Sequence, residues 1–137
     1  MIIENKNMIF IISSPSGAGK TTICKKLMKK LDNINLSVSY TTRNKRKNEK
    51  NGKDYYFVTK EKFNQLKRGN FFIENAKVFN HFYGSPLNNI NKSKNNILFD
   101  IDWQGAKKLR KKFDNNRIID FFILPPSIKE LKNRLIK

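Results

Sequence analysis

The sequence has 137 residues, 38% of them hydrophobic, and 29 Lys and Arg against 11 Asp and Glu give a formal net charge of +18. That length and apolar fraction suit one compact domain; no run of about 18 apolar residues could form a membrane-spanning helix, and a single cysteine, Cys24, excludes an internal disulfide. The charge would suit an anionic partner, but the lysines are spread along the whole chain instead of forming a basic arm, so they are read as surface solvation and no specific nucleic-acid or membrane partner is expected.

The first residues, Met1-Ile2-Ile3-Glu4-Asn5-Lys6-Asn7, carry an acidic residue and no apolar stretch, unlike a secretory signal, so a cytoplasmic protein is expected. Met8-Ile9-Phe10-Ile11-Ile12 is a continuous apolar run, the profile of a buried parallel strand, and it leads into Ser13-Ser14-Pro15-Ser16-Gly17. Lys20 to Lys30 reads as a helix with Ile23, Leu27 and Leu31 on one face. Leu36 to Tyr40, Tyr55 to Val58 and Phe71 to Phe79 read as strands, and Lys60 to Arg68 as a short helix closed by Gly69. The Asn-rich stretch Asn88 to Asn96 has no firm helical pattern. Ile97-Leu98-Phe99-Asp100-Ile101 is apolar on both faces, hence central in a sheet, and Ala106 to Lys112 follows as a helix. Ile118 to Leu124 is a further strand, stopped by Pro125-Pro126. Ser127 and Glu130 then form a capping-box sequence opening a last helix with Ile128, Leu131 and Leu135. Strand and helix alternate at both ends and mixed strands fill the middle. The expected fold is therefore α/β, a parallel-sheet core over 1–35 and 96–137 with a small mixed α+β subdomain inserted at about 36–95.

Ser14-Pro15-Ser16-Gly17-Ala18-Gly19-Lys20-Thr21 lies between a strand and a helix, the context in which a glycine-rich loop cradles phosphate. Loop N–H groups and the helix N-terminus face an anion, Lys20 adds a charge for the β- and γ-phosphates, and the Thr21 hydroxyl can ligate Mg²⁺. Ser14 stands where the pattern G-x-x-x-x-G-K-[ST] has glycine. Residues Ser14 to Thr22 are the expected ATP-binding set. Farther on, Arg43 and Arg46 with Tyr55 could converge on one phosphate through bidentate forks and a phenol, or could equally be solvated loop charge. Asp100 and Asp102 share one face at the carboxyl end of a strand, where ligands of open α/β sheets bind; the alternative is that they cap the following helix.

The ordered motifs S-x-x-x-R-x-x-R-x-x-E-x-x-G-x-D-Y from Ser39 to Tyr55, Phe72-Ile73-Glu74, Tyr83-Gly84-Ser85, Asp100 to Gly105 and Leu124-Pro125-Pro126-Ser127 resemble guanylate kinases from about Met8 to the last residue. The resemblance implies a P-loop nucleoside monophosphate kinase that transfers a phosphoryl group from ATP, with Mg²⁺, to GMP. It implies Arg43, Arg46, Tyr55 and Tyr83 on the GMP phosphate, Ser39, Glu74, Ser85 and Asp102 around guanine, Asp100 in the Mg²⁺ shell, and Lys20, Arg43 and Arg46 as catalytic charges. Guanine presents its N1 and N2 hydrogens on one edge, which a carboxylate such as Glu74 can accept as a pair. Family members are longer, and the resemblance places their lid and last segment beyond Lys137. The chain by itself is therefore expected to bind GMP but to turn over poorly. Two other classes stay open, a guanylate-kinase-like binding module without catalysis and a basic nucleic-acid-binding protein. No His-containing catalytic pair is visible, and His81 is given no role.

Overall fold

The computed structural model describes residues 7–15, 18–113 and 115–136. They divide into two compact units, one of Ser37–Ser93 and one of the described parts of Lys6–Leu36 and Lys94–Lys137. The chain begins in the second of these, the core unit, with strand β1 (Ile9–Ser13), helix α1 (Lys20–Lys30) and strand β2 (Ile34–Leu36). The inserted unit follows with β3 (Tyr40–Thr41), β4 (Tyr56–Phe57), α2 (Lys60–Arg68), β5 (Phe72–Val78), β6 (His81–Pro86) and α3 (Asn88–Asn91). The chain then returns to the core unit for β7 (Asn96–Asp100), α4 (Trp103–Arg110), β8 (Ile118–Phe122) and α5 (Ile128–Ile136).

The core sheet has the order β2-β7-β1-β8 and all its pairs are parallel. The apolar runs that predict central strands are the central strands: Ile9, Ile11, Ile97, Leu98 and Phe99 are all buried. Alternation sends Phe10, Ile12 and Leu98 to one face, where Cys24, Ile23, Leu27 and Met28 of α1 pack on them. Helix α4 packs against β1 and buries Ala106 and Leu109. Strand β8 pairs only with β1 among the described strands, and Ile119, Phe121 and Phe122 are exposed on it. Helix α5 buries no side chain; Ile128, Leu135 and Ile136 are exposed.

The inserted unit is a mixed sheet of order β4-β3-β6-β5, with β3 and β4 parallel and the other pairs antiparallel. Its core is aromatic. Phe63 of α2, fully buried, stacks on Phe72 at 4.7 Å and on Phe82 at 5.5 Å between ring centroids. Thr59 starts α2 by accepting from the Lys62 N–H at 3.1 Å. The ring of Phe72 lies so close to Gly84 that a Cβ there would sit 2.7 Å from a ring carbon, so β5 and β6 can approach only with glycine at this position.

Several expectations are corrected. Leu36 to Tyr40 is not one strand: Leu36 ends β2 in the core sheet, and Tyr40 opens β3 in the inserted one. The helix expected at Ala106 to Lys112 starts earlier, at Trp103, because Asp102 caps it. Leu31 is not on the face of α1; it is extended backbone beyond the last turn and exposed. Strand β6 was hidden by Gly84 and Pro86, residues that depress strand propensity. The capping box at Ser127 is half formed. The Ser127 hydroxyl accepts from the Glu130 N–H at 3.0 Å, while the Glu130 carboxylate pairs with Arg134 at 3.0 Å. Ile128 and Leu135, the apolar residues named for this helix, are exposed.

Candidate functional site

In the core unit, β1 ends in the loop that opens α1. Ser14 is buried and donates to the Pro15 carbonyl at 3.0 Å, and the Ala18 N–H closes back on that same carbonyl at 3.3 Å. Ser16 and Gly17, expected in the phosphate-binding set, lie outside the described residues. Gly19 is the N-cap of α1 with φ of 90°, a left-handed conformation that a residue with a side chain adopts only at a cost. No side chain caps the helix there among the described residues, so its first N–H groups face outward along the helix axis.

Lys20 and Thr21 converge on one carboxylate. The Lys20 Nζ lies 2.5 Å from Asp100 Oδ1 at the end of β7, and the Thr21 hydroxyl donates to Asp100 Oδ2 at 3.4 Å. Parallel pairing of β1 with β7 sets Ile12 opposite Asp100, which brings the strand end to the start of α1. Thr22 is exposed. Behind this pair Cys24 is 1% exposed, and its thiol is pushed up to about 12, first by burial and then by the neighbouring Asp100 charge. The thiol is therefore core and not a nucleophile. A residue that the loop motif alone does not reveal also stands here: Arg134 of α5 places Nη1 4.0 Å from where a Cβ on Gly19 would be.

Asp102, two residues after Asp100, caps α4: its Oδ1 accepts from the Gly105 N–H at 2.9 Å. One of its oxygens thus serves the helix; it belongs to the core unit, and Ser39, Glu74 and Ser85 belong to the inserted one.

Those other residues gather in the inserted unit. Arg43 follows β3 and is fixed there by two threonines. The Arg43 N–H donates to the Thr41 hydroxyl at 3.2 Å, which itself donates to the Phe82 carbonyl, and the Thr42 hydroxyl accepts from the Phe82 N–H at 2.9 Å. The Arg43 guanidinium lies over the Tyr55 ring at 5.4 Å and the Phe57 ring at 5.8 Å, and after Glu49 the nearby Tyr83 phenol also favours its charged form. Tyr55 and Tyr83 meet edge to face at 5.9 Å. Three of the four residues expected at the acceptor phosphate are therefore neighbours. Arg46 is exposed, on the same loop.

Glu49 organises this loop, a role that the spacing of the motif does not disclose. Its Oε1 accepts from Arg43 Nη2 at 2.7 Å, its Oε2 from Arg43 Nη1 at 3.1 Å and from the Arg46 backbone N–H at 2.8 Å. The Arg43 bonds, reinforced by the Arg46 N–H against the opposing effect of burial, hold the Glu49 carboxyl below the usual carboxylate range.

On the same sheet Glu74 and Ser85 face each other across β5 and β6, and the Ser85 hydroxyl donates to Glu74 Oε1 at 2.5 Å. Both are buried, as is Ser39. Simple alternation would send either Ile73 or Glu74 to solvent, yet both are buried. The reason is a register shift between Phe72 and Glu74, which sets two residues of β5 against one of β6 and turns Glu74 inward.

A glycine-containing loop between β1 and α1 of a parallel sheet, with a mixed-sheet unit inserted between β2 and β7, is the architecture of P-loop nucleoside monophosphate kinases. A model of the guanylate kinase family matches residues 6–137. The chain is 46% identical to guanylate kinase from Rickettsia felis, an alignment covering 98% of this chain and 71% of that protein. It is also 46% identical to guanylate kinase from Wolbachia pipientis wMel, covering 100% of this chain and 69% of that one. The crystal structure of guanylate kinase from Anaplasma phagocytophilum is similar with a TM-score of 0.80 at 42% identity, over 93% of this chain and 65% of that one. The chain belongs to the guanylate kinase family, and it spans about two thirds of the length of these relatives.

Proposed function

We propose that the protein to which this chain belongs transfers the terminal phosphoryl group of ATP to GMP, giving ADP and GDP. The observation that carries this reading is the inserted unit's pairing of an arginine set among two tyrosines, Arg43 with Tyr55 and Tyr83, with a buried carboxylate, Glu74, on the same sheet. Phosphate is met by guanidinium and phenol donors, and a buried acceptor suits the N1 and N2 hydrogens of guanine. Adenine has an acceptor at N1 and no N2 amine, so a buried Glu74 facing it would lose its partners at roughly 1 to 3 kcal/mol per unsatisfied group.

The donor side belongs to the core unit, where the loop, Lys20 and Arg134 would hold the ATP phosphates. The Thr21 hydroxyl and the Asp100 carboxylate are hard oxygen donors 3.4 Å apart, a set that suits Mg²⁺ carried in with ATP, Asp100 acting through water. When bound, Mg²⁺ would neutralise charge on the β- and γ-oxygens. Lys20, now paired with Asp100, would exchange that carboxylate for phosphate oxygens. No general base is needed, because the second pKa of a phosphate monoester is about 6 and GMP arrives at neutral pH as the nucleophile. Arg43 and Arg46 would offset its charge and align it. Among the described residues no helix is long and apolar enough to cross a membrane. A cytoplasmic setting suits this chemistry and the unpaired, buried Cys24.

Calorimetric titration of GMP and AMP into the chain tests the acceptor assignment. GMP is expected to bind at least about tenfold more tightly, a difference of about 1.4 kcal/mol. Equal affinities would remove guanine from the proposal. Release of ADP that requires both GMP and ATP with Mg²⁺ is the readout of transfer by the whole protein.

A further inference from the structure

We propose that Glu49 is the positioning residue of the acceptor-phosphate clamp: one carboxylate fixes both the guanidinium of Arg43 and the backbone of Arg46, and thereby sets which edge of Arg43 is offered to phosphate. The inference rests on the reading of Arg43 and Arg46 as phosphate ligands.

A guanidinium has five N–H donors in a planar fork. In Arg43, Nη1 donates to the Asn44 carbonyl at 2.9 Å and to Glu49 Oε2 at 3.1 Å, and Nη2 gives one hydrogen to Glu49 Oε1 at 2.7 Å. The end of the fork is thus committed. What remains is the side edge, Nε–H with the second Nη2 hydrogen, which has the spacing for a bidentate phosphate contact. The Tyr55 and Phe57 rings lie within cation–π reach of the group, and Glu49 holds the end of its fork by two bonds. The pair is largely withdrawn from water, with side chains 13% and 16% exposed, so the orientation is maintained before ligand arrives.

The same carboxylate reaches Arg46 by another route. Oε2 accepts from the Arg46 N–H at 2.8 Å while the Glu49 N–H donates to the Arg46 carbonyl at 3.1 Å, which closes the turn carrying the second arginine. A carboxylate in a phosphate site also subtracts a positive charge. A side chain that only opposed the ligand would need no three-point engagement of the two arginines, whereas preorganisation of both is what this geometry provides.

The test compares GMP with guanosine, which lacks the phosphate, on the wild-type chain and on Glu49→Gln and Glu49→Asp. The amide has one acceptor oxygen and turns an NH₂ group toward the guanidinium, so Glu49→Gln is expected to weaken GMP at least tenfold and guanosine by less than threefold. Glu49→Asp keeps the charge but shortens the reach by one methylene, so it cannot span both Arg43 and the Arg46 N–H; GMP is expected to weaken at least threefold with guanosine unchanged. Circular dichroism establishes which variants are folded, and the aspartate variant decides the matter if the glutamine variant is not. GMP affinity that is unchanged or tighter, or equal losses for GMP and guanosine, would overturn the inference. A wild-type chain that binds GMP no better than guanosine would instead remove the phosphate-clamp reading on which it rests.

Discussion

In the proposed acceptor site Arg43 and Glu74 would carry opposite halves of the chemistry, and each can be tested without the other. Arg43→Ala should weaken GMP far more than guanosine, by roughly 1.5 to 3 kcal/mol, because the lost bond is charge-assisted and made to phosphate alone; paired titrations of the two ligands check this. Glu74→Gln should leave phosphate affinity and fold in place while eroding the preference for GMP over AMP, since the amide keeps the Ser85 contact but offers guanine no carboxylate pair. Glu49 adds a pH dependence whose sign follows from its lowered carboxyl. The stabilisation that Glu49 provides is fully present above the ordinary glutamate value of 4.5 and is lost as pH falls through the lower folded-state value. Urea unfolding of wild type and Glu49→Gln should therefore show a constant gap at neutral pH that closes only in acid; a gap that closes near neutrality would implicate another group. The residue types at Arg43, Tyr55, Glu74 and Tyr83 were readable in the sequence as a spaced pattern. Glu49 was visible as a letter of that pattern and invisible as a part, because its partners are a side chain six residues back and a backbone N–H, neither of which spacing displays.

At the scale of elements, the long apolar strands were legible and the short mixed ones were not. Ile9, Ile11, Ile12 and Ile97 to Phe99 are buried, with Phe10 partly so, and an uninterrupted apolar run is the direct signature of a strand covered on both faces. Strand β6 contains Gly84 and Pro86, and its glycine exists because Phe72 occupies the space of a side chain. Gly84→Ala should consequently destabilise the β5–β6 pair by roughly 1 to 3 kcal/mol, the usual cost of overpacking, measurable as a lower urea midpoint without a change of slope. The bulge that turns Glu74 inward was beyond any periodicity argument, since it is a break in the period. Helix α1 supplies a further check: Cys24 should resist thiol reagents in the native chain and react on unfolding, as a buried thiol pushed up to about 12 holds almost no thiolate at neutral pH.

For the whole molecule, the apolar surface is distributed unevenly. Phe121 is 52%, Phe122 55% and Leu124 66% exposed on and after the edge strand β8, and α5 adds Ile128 and Ile136. Among the described strands β8 is an edge, and an edge with exposed aromatics favours association, so the chain should self-associate as its concentration rises, and Phe121→Lys should shift it toward monomer in sedimentation velocity. A monomer at all concentrations would show that the net charge of +18 outweighs that surface. The order of the core sheet has a different consequence. Strands β2 and β7 are parallel neighbours, Ile34 opposite Asn96 and Leu36 opposite Leu98, so the chain leaving Leu36 must travel back along the sheet before it can enter β7. The whole inserted unit makes that return journey. In modular terms it is a cassette that cannot be deleted down to a tight turn without losing the parallel pair. On the proposed acceptor reading, recombination between β2 and β7 would carry Arg43, Arg46, Tyr55, Glu74, Tyr83 and Ser85 across as one block, while Asp102, beyond β7, would stay with the core unit.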